Sequence, residues 1–245
     1  MPRYLLKTPT QISTEILKKL KQIAEKHLQC EVKEAVIAVP ASFVDSQRVA
    51  TKEAGQNAGF TNVELLNEPT AAAIAYGLEA NIDGDNVLVF DLGAATLDVS
   101  LLTVQDRAFR VLDTSGVSRI GGIYFDREVT EHMAEEYRKK YGKDLDDDAK
   151  NLLRIACAHA KRELDTVSQT TIEIPGFKTS LTRDKFNSLN AKLFSKVIPP
   201  INAVLTTASI DKSRVDHIVL VGGSSRIPRI IELVSDYFGG KTLDR

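Results

Sequence analysis

The segment Val87-Leu-Val-Phe-Asp91-Leu-Gly93-Ala-Ala-Thr96-Leu-Asp98-Val-Ser100 places a carboxylate at the end of an apolar run. A turn of small residues, a hydroxyl and a second carboxylate follow as the chain returns. Small residues let backbone N–H groups approach anionic oxygens. Thr96 can donate to a phosphate oxygen, and Asp91 and Asp98 can hold a magnesium ion through its waters. Taken alone, the same residues make an ordinary tight hairpin with solvated aspartates.

Three further segments carry polar chemistry. Ile218-Val-Leu-Val-Gly222-Gly223-Ser224-Ser225-Arg226-Ile227-Pro228 runs from an apolar strand through two glycines toward a helix, where free N–H donors and close backbone approach suit an anion or a planar ligand. It also reads as simple turn geometry. Asn67-Glu68-Pro69-Thr70 sets Glu68 at a helix start, where the positive helix end keeps a carboxylate ionised or uses it as a cap. Lys161 and Arg162 lie on a long helix; Lys161 and Asp165, one turn apart, suggest a surface ion pair, while the Arg162 plane could stack on a ligand.

Other chemistries are disfavoured. His27, His132, His159 and His217 share no metal-like spacing, and the chain has no Cys-x-x-Cys, His-Glu-x-x-His, Gly-x-Ser-x-Gly or P-loop motif. With 32 Lys+Arg against 33 Asp+Glu, no basic excess points to nucleic acid. The two cysteines, Cys30 and Cys157, read as core or half-buried thiols in a reducing compartment. No run is long enough to span a membrane, and Met1–Lys7 lacks the pattern of a secretory signal, so the expected location is the cytoplasm.

The elements that must position these residues follow from apolar periodicity. Ile12, Ile16, Leu17, Leu20, Ile23, Ala24 and Leu28 predict a helix with one buried face; exposure of Ile16, Leu20 and Ile23 would instead mark an interface. Lys33–Val39 predicts a buried strand, Asp45 an N-cap for a helix reaching Ala58, and Val63–Leu66 a strand leading into a helix capped by Asn67. Val87–Phe90, Leu97–Val104 and Phe109–Asp113 predict antiparallel hairpins. Helices are predicted at Phe125–Tyr141, Asp147–Val167 and Arg183–Thr207, the last kinked or restarted at Pro199-Pro200, with strands at Gln169–Ile174 and Thr179–Leu181. The chain ends with a strand over Val215–Val221 and a helix over Arg226–Phe238.

These segments, in this order, resemble the seventy-kilodalton heat-shock protein family, whose nucleotide-binding domain shares the actin-like ATPase fold. The resemblance is carried by Ala38-Val-Pro40-Ala-Ser-Phe43 with Asp45-Ser-Gln-Arg48, Leu66-Asn-Glu68-Pro-Thr70 through Gly77, Phe90-Asp-Leu-Gly93, and Val219-Leu-Val-Gly222-Gly-Ser-Ser-Arg226-Ile-Pro228. It implies an α/β fold, a mixed sheet flanked by helices with an inserted α+β subdomain. Residues 1–80 would form part of lobe I, 81–119 and 213–245 the core of lobe II, and 120–212 the insert. It implies an ATP-dependent chaperone binding ATP or ADP with Mg2+. Asp91 and Asp98 would take magnesium-water and attacking-water roles with Glu68 nearby, and Gly93 and Thr96 would face the phosphates. Gly121 and Gly122 would line the cleft, Lys161 and Arg162 would flank the adenosine, and Gly222, Gly223, Ser224, Arg226 and Ile227 would hold ribose and base. Pro40 and Arg48 resemble the family's relay between nucleotide state and the other domain. Implied partners are a nucleotide-exchange factor, a J-domain co-chaperone or a client protein.

The chain departs from the family pattern at Ala94-Ala95, which replace glycines and are expected to weaken or reshape phosphate binding if either needs a positive φ. Val117, Ile123 and Tyr124 stand where the family carries acids around a cation, and Ala158 and Asp165 replace an acid and a serine near the nucleoside. The family's first phosphate hairpin and catalytic lysine precede the matched segment, so hydrolysis by this chain is expected to be weak or absent. A competing reading is a non-catalytic interaction module using the Ile123–Asp165 region; a sugar or acetate kinase of the same superfamily ranks last, for want of a phosphoacceptor site.

Overall fold

Thr8 starts the first helix, α1 (Pro9–Leu28): its hydroxyl accepts from the Gln11 amide at 3.2 Å, while the Gln11 side chain accepts from the Thr8 amide at 2.9 Å. This reciprocal cap satisfies donors that the helix itself leaves open, and Pro9 stands where no donor is needed. The structure, a computed structural model, describes residues 6–77, 83–106 and 108–244, so the first five residues of the Met1–Lys7 stretch lie outside the described residues. Contacts divide the chain into two units, Met1–Ala75 and Tyr76–Arg245.

In the first unit, β1 (Glu34–Val39) pairs in parallel with β2 (Asn62–Asn67), and α2 (Asp45–Asn57) connects them; α3 (Glu68–Gly77) follows directly. The small core is Ala58, Phe60 and Val63, with Leu17, Ala35 and Ile37 packed on it. Two expectations fail here. The apolar stripe of α1 does not form a buried face: Ile12, Ile16, Leu20, Ile23 and Leu28 are each more than half exposed, and Leu17 makes the inward contact. Nor is β1 buried on both sides: Ala35, Ile37 and Val39 turn inward while Val36 is 65% exposed. The N-cap of α2 is Val44, whose amide donates to Gln47 Oε1 at 3.0 Å; Asp45 is the first helical residue, where its charge suits the helix dipole.

The second unit is built on a four-stranded sheet of β3 (Asn86–Leu92), β4 (Thr96–Gln105), β5 (Ala108–Ser118) and β8 (His217–Val221), in the order β5-β4-β3-β8. The first three pair antiparallel and β8 joins β3 in parallel, which makes the sheet mixed. β5 runs five residues past the expected end, through Thr114–Ser118, because backbone pairing with β4 continues where the apolar pattern stops. Between β5 and β8 come α4 (Gly122–Tyr141), α5 (Asp147–Glu163), the hairpin β6 (Gln169–Ile174) and β7 (Phe177–Thr182), then α6 (Arg183–Leu189), α7 (Ala191–Phe194) and α8 (Ile198–Ala208). The helical stretch expected over 183–207 restarts at the prolines, as expected, which open α8 where proline is tolerated, and it breaks once more at Asn190 between α6 and α7. The final helix, α9 (Pro228–Tyr237), starts two residues late because Gly223–Arg226 forms a 3₁₀ turn.

Val87, Val89, Leu102 and Val104 of the sheet are buried, and a separate, large cluster joins the sheet to the helices. Leu88, Phe90, Leu97 and Leu101 of the sheet pack with Phe125, Leu153, Val204 and Ile230 of the helices, each contributing about 1.5–3 kcal/mol by leaving water. α8 lies against β4 and β5. Cys157 is buried in the larger cluster as expected, but Cys30, just past the left-handed Gln29 that ends α1, is exposed.

Candidate functional site

Strands β3 and β4 are joined by Gly93-Ala94-Ala95, with Leu92 opposite Leu97 and Asp91 opposite Asp98. Directly paired residues share a face, so the two carboxylates stand side by side. Burial pushes the half-buried Asp91 carboxyl above its ordinary range, and the Asp98 charge adds to that. Room for the pair comes from two glycines that were not read this way from sequence. A side chain at Gly116, opposite Asp98, would come within 2.9 Å of Asp98 Oδ1. At Gly222, with φ +84°, it would collide with the Leu92 carbonyl and Asp91 Oδ1.

The strain expected at Ala94-Ala95 is absent. The non-glycine residues with positive φ among those described are Gln29, Asp106, Arg119 and Ser209, so both alanines fit the turn. The turn closes with Gly93 N donating to the Thr96 carbonyl at 3.1 Å, and among the described residues the Ala94 and Ala95 amides have no acceptor.

The start of α4 docks on this turn. The Gly122 amide donates to Gly93 O at 3.1 Å and the Ile123 amide to Ala94 O at 3.0 Å. These donors are spent on carbonyls, so this helix start is a structural joint and not an anion site. Gly121, with φ +122°, permits the approach, since a Cβ there would lie 2.6 Å from Gly93 O. From the other side, Ser224 Oγ donates to the same Gly93 oxygen at 2.8 Å. One carbonyl therefore ties together the β3–β4 turn, α4 and the 3₁₀ turn after β8.

On α5, Lys161 Nζ donates to Gly122 O at 2.9 Å and lies 2.8 Å from Asp126 Oδ1 on α4. The expected pairing with Asp165 does not form, because a buried acid and carbonyl on the facing helix draw the ammonium inward. Asp126 Oδ1 is buried and is held by this ion-pair contact, without a hydrogen-bond partner among the described residues. Arg162 is held along the helix by Nε donating to Ala158 O at 3.2 Å. The Asp165 carboxylate has no hydrogen bond or ion pair among the described residues; burial raises its pKa, opposed by Arg226, Lys161 and Arg183.

These elements enclose a cavity of about 400 Å³. Of the residues expected from sequence, Gly93, Gly122, Lys161, Arg162, Gly223, Ser224 and Ile227 line it, while Asp91, Asp98, Thr96, Gly121, Gly222 and Arg226 are not in its wall. Ala94, Ile123, Asp126 and Asp165 complete the lining; the first two and Asp165 stand at positions where the sequence departs from the family pattern, and Asp126 was not singled out from sequence. Asp126 had a readable signal, since i+4 spacing from Gly122 puts both on one helix face. The opposing Asp91 and Asp98 carboxylates fit a magnesium held by waters and phosphate oxygens, which needs few protein ligands. Among the described residues no group of three or more His, Cys, Asp and Glu side chains is placed to hold a metal.

In the first unit, Arg48 on α2 binds the loop after Pro40: its Nε donates to Phe43 O at 3.0 Å, and Nη2 to Ala41 O at 3.2 Å and Asn67 Oδ1 at 2.9 Å. Asn67, expected as a helix cap, thus takes Arg48 from the end of β2. Glu68 is the first residue of α3.

A family model for Hsp70 protein matches residues 5–245. The chain belongs to the Hsp70 family. It is 51% identical over 243 residues to a heat shock 70 kDa protein of Neurospora crassa, covering 96% of this chain and 38% of that protein. It is 49% identical to heat shock 70 kDa protein 2 of Paracoccidioides lutzii, covering 96% and 37%. To a ribosome-associated molecular chaperone of Saccharomyces cerevisiae it is 47% identical, covering 97% and 40%. The chain thus spans about two fifths of the length of the curated relatives it matches. Its mixed sheet with flanking helices accords with the actin-like ATPase fold of Hsp70 proteins. Among the described residues no helix is long and apolar enough to cross a membrane.

Proposed function

We propose that this chain is the nucleotide-binding part of an Hsp70-type chaperone and takes ATP or ADP with Mg2+ in the cavity of the second unit. The observation that carries the reading is the meeting of the Gly93–Ala95 turn, with its free amides beside the Asp91/Asp98 pair, and the Lys161–Arg162 face of α5 around one cavity. The turn would receive phosphate oxygens, and Thr96 would add a hydroxyl. Magnesium, when bound, would neutralise phosphate charge; Asp91 and Asp98 would orient its waters and accept a proton from an attacking water. Gly121 and Gly122 would hold α4 against the turn, Lys161 and Arg162 would flank the nucleoside, and Gly222, Gly223, Ser224, Arg226 and Ile227 would shape the base and ribose end. Pro40 and Arg48, joined through the Ala41–Phe43 loop, would relay nucleotide state to a client-binding domain, with an exchange factor or J-domain partner acting in the cytoplasm.

Titration calorimetry with ADP and ATP, with and without magnesium, beside a phosphate-release assay, tests this. Magnesium-dependent binding that is lost in Asp91→Asn supports it. Absence of binding at millimolar nucleotide overturns it. The exposed stripe of Ile12, Ile16, Leu20 and Ile23 favours a second reading, an interaction module that keeps the fold without nucleotide turnover.

A further inference from the structure

After α9 the chain turns at Gly239 and Gly240, with φ +71° and +84°, and comes back along β8, the edge strand of the four-stranded sheet. There the Asp244 amide donates to Ile218 O and its carbonyl accepts from the Leu220 amide, both at 2.8 Å, while Lys241 Nζ donates to Val215 O. Residues 239–244 thus form a strap on the strand edge. β8 runs on into Gly222 and Gly223, and Gly223 lines the cavity, so the strap braces a strand that carries part of the site.

At the start of β8 the partly buried His217 imidazole joins three other segments. Its Nε2 lies 2.7 Å from Asp85 Oδ2, ahead of β3. Its Nδ1 lies 3.1 Å from the Tyr76 hydroxyl on α3 and 3.9 Å from Asp244 Oδ2 on the strap. The Tyr76 hydroxyl has the Asp244 carboxylate as a second partner; burial first, and that carboxylate second, keep the phenol protonated above its ordinary range. A carboxylate only accepts, and a phenol has one proton to give. Nε2 must therefore carry a hydrogen for Asp85. Tyr76 gives its proton to Asp244, its oxygen is left to accept, and Nδ1 must carry a hydrogen as well.

We propose that His217 is a proton-gated latch: as an imidazolium between Asp85 and Asp244 it holds the strap on β8, and loss of its proton loosens the strap. With a neutral ring, Nδ1 and Asp244 compete for one phenolic proton, and two carboxylates face each other across an uncharged group. Of the neighbouring charges, Asp216 is engaged by the Asn86 amide at 2.8 Å and Lys241 by the Val215 carbonyl. A proton bound more firmly with the strap closed than open stabilises the closed form at low pH, and that stabilisation is lost as pH rises past the imidazole range.

Nitrogen-15 spectra of the parent chain, with His217 assigned through His217→Gln, read the ring; amide exchange at Leu220 and Asp244, corrected for its intrinsic pH dependence, reads the strap. Both ring nitrogens of His217 should still carry protons at about pH 7.5, where an ordinary imidazole, titrating near ~6.5, is mostly neutral. Protection of the two amides should fall about tenfold between about pH 6 and pH 9, the factor that one pH unit of proton affinity supplies. Asp244→Asn keeps the backbone bonds and removes the charge, so its protection should be lower at the acid end and its pH dependence flatter. A neutral ring at about pH 7.5, protection that does not change with pH, or a pH dependence equally steep in Asp244→Asn overturns the latch.

Discussion

Lys161 Nζ lies 2.8 Å from Asp126 Oδ1, with the two side chains only 13% and 14% exposed, so a buried ion pair clamps α5 to α4 beside the cavity. Removing one partner strands a charge. Lys161→Met is expected to cost about 3 kcal/mol in urea unfolding, and the double variant Lys161→Met/Asp126→Leu to recover much of it. A double variant as unstable as the single one would show that the pair is not the clamp.

The glycines at the cavity separate folding from binding. Gly222→Ala forces a methyl into the Leu92 carbonyl and the Asp91 carboxylate at a positive φ, and is expected to cost about 3 kcal/mol or more. Gly223 lines the cavity and has nothing within 4 Å of the position of a Cβ. Gly223→Ala should leave the unfolding midpoint nearly unchanged while weakening nucleotide binding by about fivefold or more, because its methyl occupies ligand space.

Asp91 keeps its proton to higher pH in the folded chain than in the unfolded one, through burial first and the neighbouring Asp98 second. The folded state then binds more protons, so this residue lowers stability as pH rises from the ordinary carboxylate range through the raised pKa, and the loss persists at neutral pH. Asp91→Asn should therefore melt about 2–4 °C higher at pH 7, with partial solvent screening keeping the gain near 1 kcal/mol or less. The difference should shrink toward zero below the ordinary carboxylate range, which melting curves across pH will show. The same variant should lose the magnesium dependence of nucleotide affinity.

Thiol chemistry should distinguish the two cysteines. Burial pushes the Cys157 thiol up to about 11, whereas Cys30 is exposed. Titration with a chromogenic disulfide at pH 8 should report one fast thiol in the folded chain and a second only in denaturant. Cys30→Ala should abolish the fast phase; two fast thiols in the parent chain would contradict the burial of Cys157.

The sequence by itself determined the order of most elements and the residue types of the site, because both are local. Strand runs, helix periodicity, the turn between Asp91 and Asp98, and the glycines before α4 and α9 are written in neighbouring residues. Tertiary structure decided what depends on partners far along the chain. Periodicity put an apolar stripe on α1, but burial requires something to pack against it, and only Leu17 finds the core. Helical spacing offered Asp165 to Lys161, yet Asp126 takes it from another helix and leaves Asp165 open to the cavity. The alanines of the turn looked strained from their types alone; their backbone angles, set by strand register and the docking of α4, are ordinary. Which side chains line one cavity is a property of three elements meeting at a single carbonyl, Gly93 O, and no local pattern contains that meeting.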